Sequence, residues 1–336
     1  MRASRISRSA TITGVLWTCC MLAAVTAAQA ADVTLRLGTY VNKVDVRYGG
    51  FQNFANLVNE KTDGRVEVQV FDSGTLHPFN KAFDSILGGV SDISPVTGEK
   101  RLPCNRMTSF TPTAVDWERH IELDKEYTAL LADELASAGL INVLSSNFTY
   151  DQEWWFKTPD VQLDKLDGRL VRDIGPVMTH IIKKWGGKPV FIAPTEVYQG
   201  AERGVVDAIN MGVATFSSWK LWDVMPHMIN ATLFYGNIMY MMNKAKFDAL
   251  SPEDQQAILE AGEEAQRAIK APYEQWINEK VGEAVMKGGG SARALPKEER
   301  LRLIADAADG WESQWDEACG KELADKIRAL FKKYEG

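Results

Sequence analysis

The sequence predicts an α/β protein of two lobes with a cleft between them. Strand-like and helix-like hydrophobic patterns alternate along the chain, this alternation restarts after about residue 150, and one long helical pattern follows both halves. Such alternation favours open, mostly parallel sheets. A chain of 336 residues is long for a single core but suits two.

The first half opens with a strand–helix–strand unit. Val33, Leu35 and Leu37 alternate with polar residues, which predicts a half-buried strand. Apolar residues over 51–58 then follow one face of a helix, and the period of two resumes over 66–70. The remaining predicted elements of this half are a helix over 79–87, a short strand near 90–96 and a strand over 140–144.

The second half repeats this order of elements. Leu170–Arg172 is a predicted strand, and Pro176 opens a helix that Gly186 and Gly187 end. The other predicted elements are a strand over 188–191, a short helix up to Arg203 and a strand within 205–211.

A long helix is predicted from Ser251 to the glycines at 288–290. Ser251 is a suitable N-cap, and Pro252 occupies the first helical position. The apolar stripe runs from Ile258 to Trp276 and contains Pro272, which is expected to kink the helix because it removes a backbone donor.

Residues 1–30 are predicted to be a secretory signal peptide cleaved after Ala30. Three arginines and no acidic residue precede an apolar stretch over 12–25, and Ala28 and Ala30 supply the small residues of a cleavage site. The alternative, a membrane anchor, is disfavoured because the apolar stretch is too short to span a bilayer easily. We therefore expect a periplasmic protein.

Charge and cysteine content exclude some partners and leave one question open. The net charge of −7 argues against a nucleic-acid partner, so an anionic ligand would need a local cationic group. After removal of the leader only Cys104 and Cys319 remain. They could pair in an oxidising compartment, but the sequence does not decide whether they do.

Motifs of common enzymes are absent. The four histidines lack HExxH and HxxxH spacing, and no GxSxG elbow, P-loop or GxGxxG occurs. The sequence therefore predicts a protein that is not an enzyme, and a secreted enzyme is the least favoured alternative.

Two segments carry a family resemblance. Leu166–Arg172 and Pro194–Met211, with its Glu196-Val-Tyr and Gly204-Val-Val-Asp-Ala, resemble the DctP-type substrate-binding proteins of tripartite ATP-independent periplasmic (TRAP) transporters. The resemblance implies a periplasmic-binding-protein-like fold of two α/β lobes, joined by crossing hinge strands and spanned by the long helix. It places lobe I at 31–149 plus about 238–277, and lobe II at 150–237 plus about 278–336.

Arg172 matches the arginine that binds the solute carboxylate in that family. An independent physical reason supports this role. An arginine at the carboxyl end of a strand in an open α/β sheet points into the crevice where ligands lie. Its planar guanidinium can bind a carboxylate through two parallel hydrogen bonds and stays charged when buried.

The resemblance also suggests the rest of the site. Gln152 is kept from a subgroup of the family in which a glutamine completes the site, whereas Asn210 and Met211 stand where that subgroup has Glu and Trp. Hard cations prefer anionic oxygens, so we predict no metal and no cofactor. The predicted ligand-binding residues are Arg172, Gln152, Asn210, Trp155, Met211, Tyr40, Asn237 and Phe216.

The predicted function is solute capture. We expect a monomeric periplasmic protein that binds a small organic acid and delivers it to the membrane subunits of a TRAP-type permease, with no nucleic-acid partner. The alternative is a ligand-sensing protein that contacts a receptor kinase.

Overall fold

A computed structural model describes residues 31–115, 117–146 and 152–335. The predicted signal peptide, residues 1–30, lies outside this range. The strands are β1 (Val33–Gly38), β2 (Val66–Phe71), β3 (Ile93–Val96), β4 (Phe110–Pro112), β5 (Leu140–Ser146), β6 (Gln152–Phe156), β7 (Leu170–Asp173), β8 (Lys188–Phe191), β9 (Ala208–Gly212), β10 (His227–Asn230), β11 (Phe234–Gly236), β12 (Ile238–Asn243) and β13 (Ser291–Ala294). The helices are α1 (Val46–Lys61), α2 (Ala82–Leu87), α3 (Pro103–Thr108), α4 (His120–Leu130), α5 (Ala132–Ser137), α6 (Pro176–Lys184), α7 (Val197–Glu202), α8 (Val213–Ser218), α9 (Lys244–Asp248), α10 (Pro252–Gly288), α11 (Lys297–Ala308), α12 (Trp315–Cys319) and α13 (Lys321–Lys333).

The two predicted α/β lobes are confirmed as two large sheets with helices packed on them, while β4 and β11 pair as a separate two-stranded antiparallel sheet. The first sheet has the strand order β2-β1-β3-β12-β5, and the second has the order β13-β10-β6-β9-β7-β8. The first sheet is therefore built from 33–146 and 238–243, and the second from 152–230 and 291–294. The exact lobe boundaries stay a prediction.

The sheets are more mixed than the expected mostly parallel pattern. β1 runs parallel to β2 and β3, and β7 runs parallel to β8 and β9. However, β12 lies antiparallel between β3 and β5, and β6 lies antiparallel between β9 and β10. Two parallel neighbouring strands must be joined by a crossover connection. β12 instead enters the first sheet directly from the second half of the chain, and it lies antiparallel to its neighbours.

The long helix α10 spans both sheets. On the side of the first sheet it packs on α1 and β5, and on the side of the second sheet it packs on α8 and β13. Its predicted N-cap is confirmed, because Ser251 Oγ accepts a hydrogen bond from the Asp254 N–H at 3.1 Å. The helix continues through Pro272 to Gly288. Gly289 follows as the C-cap and has a left-handed φ of 62°.

Gly262 allows α10 to approach β5. A β-carbon at this position would lie 2.0 Å from the Val143 carbonyl oxygen. We expect Gly262→Ala to destabilise the protein by about 1–3 kcal/mol or more, because the backbones must separate. Gly282, on the same helix, has nothing within 4 Å of such a β-carbon, so Gly282→Ala should stabilise by about 0.5–1 kcal/mol. Urea unfolding of both variants tests this pair, and equal effects would contradict the close approach.

The C-terminal helices pack against an early part of the chain. α12 packs on α3, and α13 packs on α4. Cys104 of α3 and Cys319 of α12 form a disulfide with a Cα–Cα distance of 4.5 Å, which answers the question that the sequence left open. Among the described residues, no helix combines the length and the apolar character that a membrane span needs.

Candidate functional site

A cavity lies between the two sheets. Its empty volume is about 670 Å³ when the open mouth is included. From the first sheet and its neighbouring segments it is lined by Tyr40, Arg47, Phe79, Thr97, Phe110 and Ile238. From the second sheet and its loops it is lined by Gln152, Arg172, Phe191, Ile192, Met211 and Thr215, among others.

Arg172 is the buried cation of the second sheet in this cavity. It is 4 % exposed and lies near the carboxyl end of β7, where ligands of open α/β sheets bind. Its Nε donates to the Ile192 carbonyl at 3.0 Å, and its Nη1 donates to the Asn210 carbonyl at 3.1 Å. These bonds hold the guanidinium in place and leave its Nη2 without a hydrogen bond to a described residue.

Arg172 forms no ion pair with any acidic side chain that the structure describes. The carboxylate of Asp173 instead accepts hydrogen bonds from the Gly175 N–H and the Thr179 hydroxyl. Burial lowers the pKa of the Arg172 guanidinium to about 10, so it is still charged at neutral pH. A buried cation without an ion pair to a described residue, placed in a cavity, favours an anionic ligand.

Arg47 is a second buried arginine in the cavity, which the sequence analysis missed. Its Nε donates to Asp45 Oδ1 at 2.9 Å, and its Nη2 donates to Asp45 Oδ2 at 2.5 Å. Burial opposes the charge of Arg47, but the carboxylate of Asp45 and the nearby Tyr40 outweigh it and raise its pKa well above the usual value.

A signal for Arg47 was present in the helix pattern. Arg47 shares the buried face of α1 with Phe51, Phe54, Ala55 and Val58. It therefore continues the apolar stripe one turn towards the N-terminus, at a position four residues before Phe51. A charged residue on the buried face of an amphipathic helix needs a partner or a ligand.

Three other predicted site residues lie in the cavity wall. Gln152 is at the start of β6, Met211 is in β9, and Tyr40 follows β1. The Tyr40 ring packs edge-on against Phe79, with centroids 5.2 Å apart, and its hydroxyl accepts a hydrogen bond from Arg47 Nη1 at 3.3 Å. The structure thus brings Arg172, Gln152, Met211 and Tyr40 together around one cavity.

Trp155 and Phe216 do not line this cavity. Their rings stack with centroids 3.4 Å apart in an apolar cluster behind the site. The Trp155 Nε1–H donates to the Met211 carbonyl at 3.0 Å. In this position Trp155 and Phe216 support β9, the strand that carries Met211.

The side chains of Asn210 and Asn237 also lie away from the cavity. The Asn210 amide donates to the Glu153 carbonyl at 3.2 Å, so only the Asn210 backbone carbonyl reaches Arg172. The Asn237 amide donates to the buried Asp124 carboxylate at 3.2 Å. Both asparagines are committed to holding strands and helices together.

Metal ligands are not clustered in the described part of the chain. No group of three or more His, Cys, Asp or Glu side chains there could hold a metal ion. In the described part of the cavity lining both charged residues are arginines, and cations do not bind metal ions. The absence of a metal or cofactor in the functional protein stays a prediction.

A family model matches most of the chain. The model, described as DctP, bacterial extracellular solute-binding protein, family 7, matches residues 37–104 and 156–318. The matched segments contain Arg47, Arg172 and Met211 of the cavity.

Curated proteins and solved structures are similar to this chain over most of their length. The 2,3-diketo-L-gulonate-binding periplasmic protein YiaO of Escherichia coli is 28% identical over 283 residues, which cover 78% of this chain and 83% of YiaO. The crystal structure of DctP7 from Bordetella pertussis, a receptor binding pyroglutamic acid, superposes with a TM-score of 0.79 at 23% identity and covers 89% of this chain and 99% of that one. A TRAP periplasmic solute-binding protein from Desulfovibrio salexigens with bound orotic acid superposes with a TM-score of 0.82 at 17% identity, over 90% of this chain and 99% of that one.

Proposed function

The chain belongs to family 7 of the bacterial extracellular solute-binding proteins, and from this membership we propose that it captures a small organic acid and delivers it to a TRAP-type permease. Arg172 binds the carboxylate of the acid, and the two lobes close around the ligand. The protein acts as a monomer in the periplasm, after removal of residues 1–30, and releases its ligand chemically unchanged.

The observation that supports this function best is the buried guanidinium of Arg172, which forms no ion pair within residues 31–115, 117–146 and 152–335. A buried charge without a partner is unfavourable for folding, so its place in the cavity is explained by a ligand that neutralises it. The Nη2 group can donate to the carboxylate while Nε and Nη1 remain bonded to the Ile192 and Asn210 carbonyls. The ligand would gain charge-assisted hydrogen bonds to a group already fixed in orientation.

The ligands of the similar proteins are consistent with this proposal. They include 2,3-diketo-L-gulonate for the relative from Escherichia coli, and pyroglutamic acid and orotic acid in the structures. All of them are small organic acids. The variety indicates that the acid group is the shared element, while the rest of each cavity selects the carbon skeleton.

A thermal-shift screen of residues 31–336 tests the proposal. Small organic acids are compared with their uncharged amides, and at least one acid is expected to raise the melting temperature while its amide does not. A ligand that binds only the folded state stabilises it by about 2.7 kcal/mol at a hundredfold excess over its Kd. An equal shift by acid and amide, or no shift across the panel, would contradict carboxylate capture.

A further inference from the structure

Asp45 and Arg47 form an ion pair at the wall of the ligand cavity, so the positive charge of Arg47 is neutralised within the protein. Asp45 is 2 % exposed and Arg47 is 5 % exposed, so both charges are out of solvent. Both carboxylate oxygens of Asp45 accept from Arg47, at 2.9 and 2.5 Å. This two-point geometry is the same one that an arginine would offer to the carboxylate of a ligand.

The remaining donors of Arg47 are almost fully used. Nη2 also donates to the Thr215 hydroxyl at 2.6 Å, and Nη1 donates to the Tyr40 hydroxyl at 3.3 Å. Of the five N–H groups of a guanidinium, four are therefore occupied, and one on Nη1 is left. Arg47 can donate one hydrogen bond to a ligand, but it cannot bind a carboxylate at two points unless it leaves Asp45.

The two arginines of the cavity are therefore electrostatically different. Arg47 is paired with Asp45, whereas Arg172 has no ion pair among the described residues. Among the lining residues that the structure describes, one positive charge, that of Arg172 near β7, has no ion-pair partner. Near α1 it presents a neutral pair with hydroxyl groups around it, those of Tyr40 and Thr215.

We propose that Asp45 is a specificity-determining residue that restricts this site to acids with a single negative charge. The inference rests on the proposed function, in which one carboxylate binds Arg172. The opposite end of the ligand then faces Arg47, Tyr40 and Thr215 and carries a neutral oxygen, as in a hydroxyl, oxo or amide group. A second carboxylate at that end would be buried beside Asp45 without a free cation, which is unfavourable.

Matched pairs of acids test this selectivity in the unmodified protein, residues 31–336. The probes are 2-oxopentanoate against 2-oxoglutarate and galactonate against galactarate, since the members of each pair differ mainly by a second carboxylate. Calorimetry is expected to show that the monocarboxylate of a binding pair has at least about tenfold higher affinity, because like charges in a poorly solvated site repel strongly. Equal or tighter binding of the dicarboxylate would overturn the inference and leave the proposed capture of acids by Arg172 intact.

The Asp45→Asn variant then separates selectivity from capture. Asparagine keeps the N-cap of α1 but leaves the charge of Arg47 uncompensated, so the dicarboxylate should gain on the order of tenfold relative to the monocarboxylate. The matched control is the double variant Asp45→Asn with Arg47→Gln. It removes both charges and should return the ratio of the two affinities towards that of the unmodified protein, although both affinities fall.

Each outcome has a distinct meaning. An unchanged ratio in a folded Asp45→Asn variant would overturn the role of Asp45. If the Asp45→Asn variant does not fold, the ratio of the monocarboxylate affinity to the dicarboxylate affinity in the unmodified protein decides by itself whether the site is selective. If none of the four probes binds and no acid of the wider thermal-shift panel does, the proposed function fails, and this inference fails with it.

Discussion

Replacing Arg172 with alanine is expected to weaken binding of the acid by roughly 2–5 kcal/mol, which corresponds to about 30-fold to 4,000-fold in Kd. The ligand carboxylate would stay buried in the cavity without its cationic partner. Calorimetric titration of the unmodified and substituted proteins measures the difference directly. Arg172→Lys should recover only part of the loss, because an ammonium group lacks the planar, two-point geometry of the guanidinium.

The Arg172→Ala variant is expected to fold. In the unliganded protein the guanidinium is buried without an ion pair to a described residue, and burial lowers its pKa. Its removal leaves only the Ile192 and Asn210 carbonyls to be hydrated. Arg203→Ala is the matched control, because Arg203 is exposed and absent from the cavity lining. Near-normal affinity in Arg172→Ala, or an equal loss in both variants, would remove Arg172 from the site.

Loss of the Cys104–Cys319 disulfide is expected to lower the free energy of unfolding by about 2–5 kcal/mol. The bond joins residues 215 positions apart, so its removal releases a long loop in the unfolded chain. Urea unfolding of the Cys104→Ser/Cys319→Ser double variant is compared with the oxidised protein. Affinity for the ligand should be unchanged, because neither cysteine lines the cavity.

The disulfide joins Cys104, within the predicted lobe I, to Cys319, within the predicted lobe II. Cys104 and Cys319 lie in α3 and α12, which pack on each other within one apolar core that also includes α4 and α13. Closure of the lobes around a ligand therefore requires α12 to move together with α3 as one rigid body. Titration of residues 31–336, denatured and unreduced, should find no free thiol. Two free thiols would contradict the bond, and a large change in affinity in the double variant would contradict its separation from the site.

The local elements could be predicted from the sequence. The βαβ opening, the strand that carries Arg172 and the long helix from Pro252 all occur where hydrophobic period and capping indicate them. Strand and helix periods depend on neighbours a few residues apart, and so does the Ser251 cap. The antiparallel positions of β6 and β12 depend instead on which distant strand each one pairs with, so the expected mostly parallel sheets proved too simple.

The candidate site could be predicted only in part, because the identity of a polar or aromatic residue does not show whether its side chain faces the cavity or the core. Trp155, Phe216 and Asn237 have the composition of a binding site, but the fold places the first two in a core cluster and the third against Asp124. Arg47 was overlooked although its position, four residues before Phe51, continues the buried face of α1.

The sequence by itself determined the class of the protein and its two-lobed order of elements and singled out Arg172 as a candidate site residue, since each rests on patterns within short segments. Only the tertiary structure decided that Tyr40 and Arg47 from the first half meet Gln152, Arg172 and Met211 from the second. It also decided that Asp45 neutralises one arginine while the other is left unpaired among the described residues. Asp45 and Arg47 are near neighbours in the sequence, but the burial of their pair at one cavity with Arg172 depends on contacts between distant segments, and no short segment contains that information.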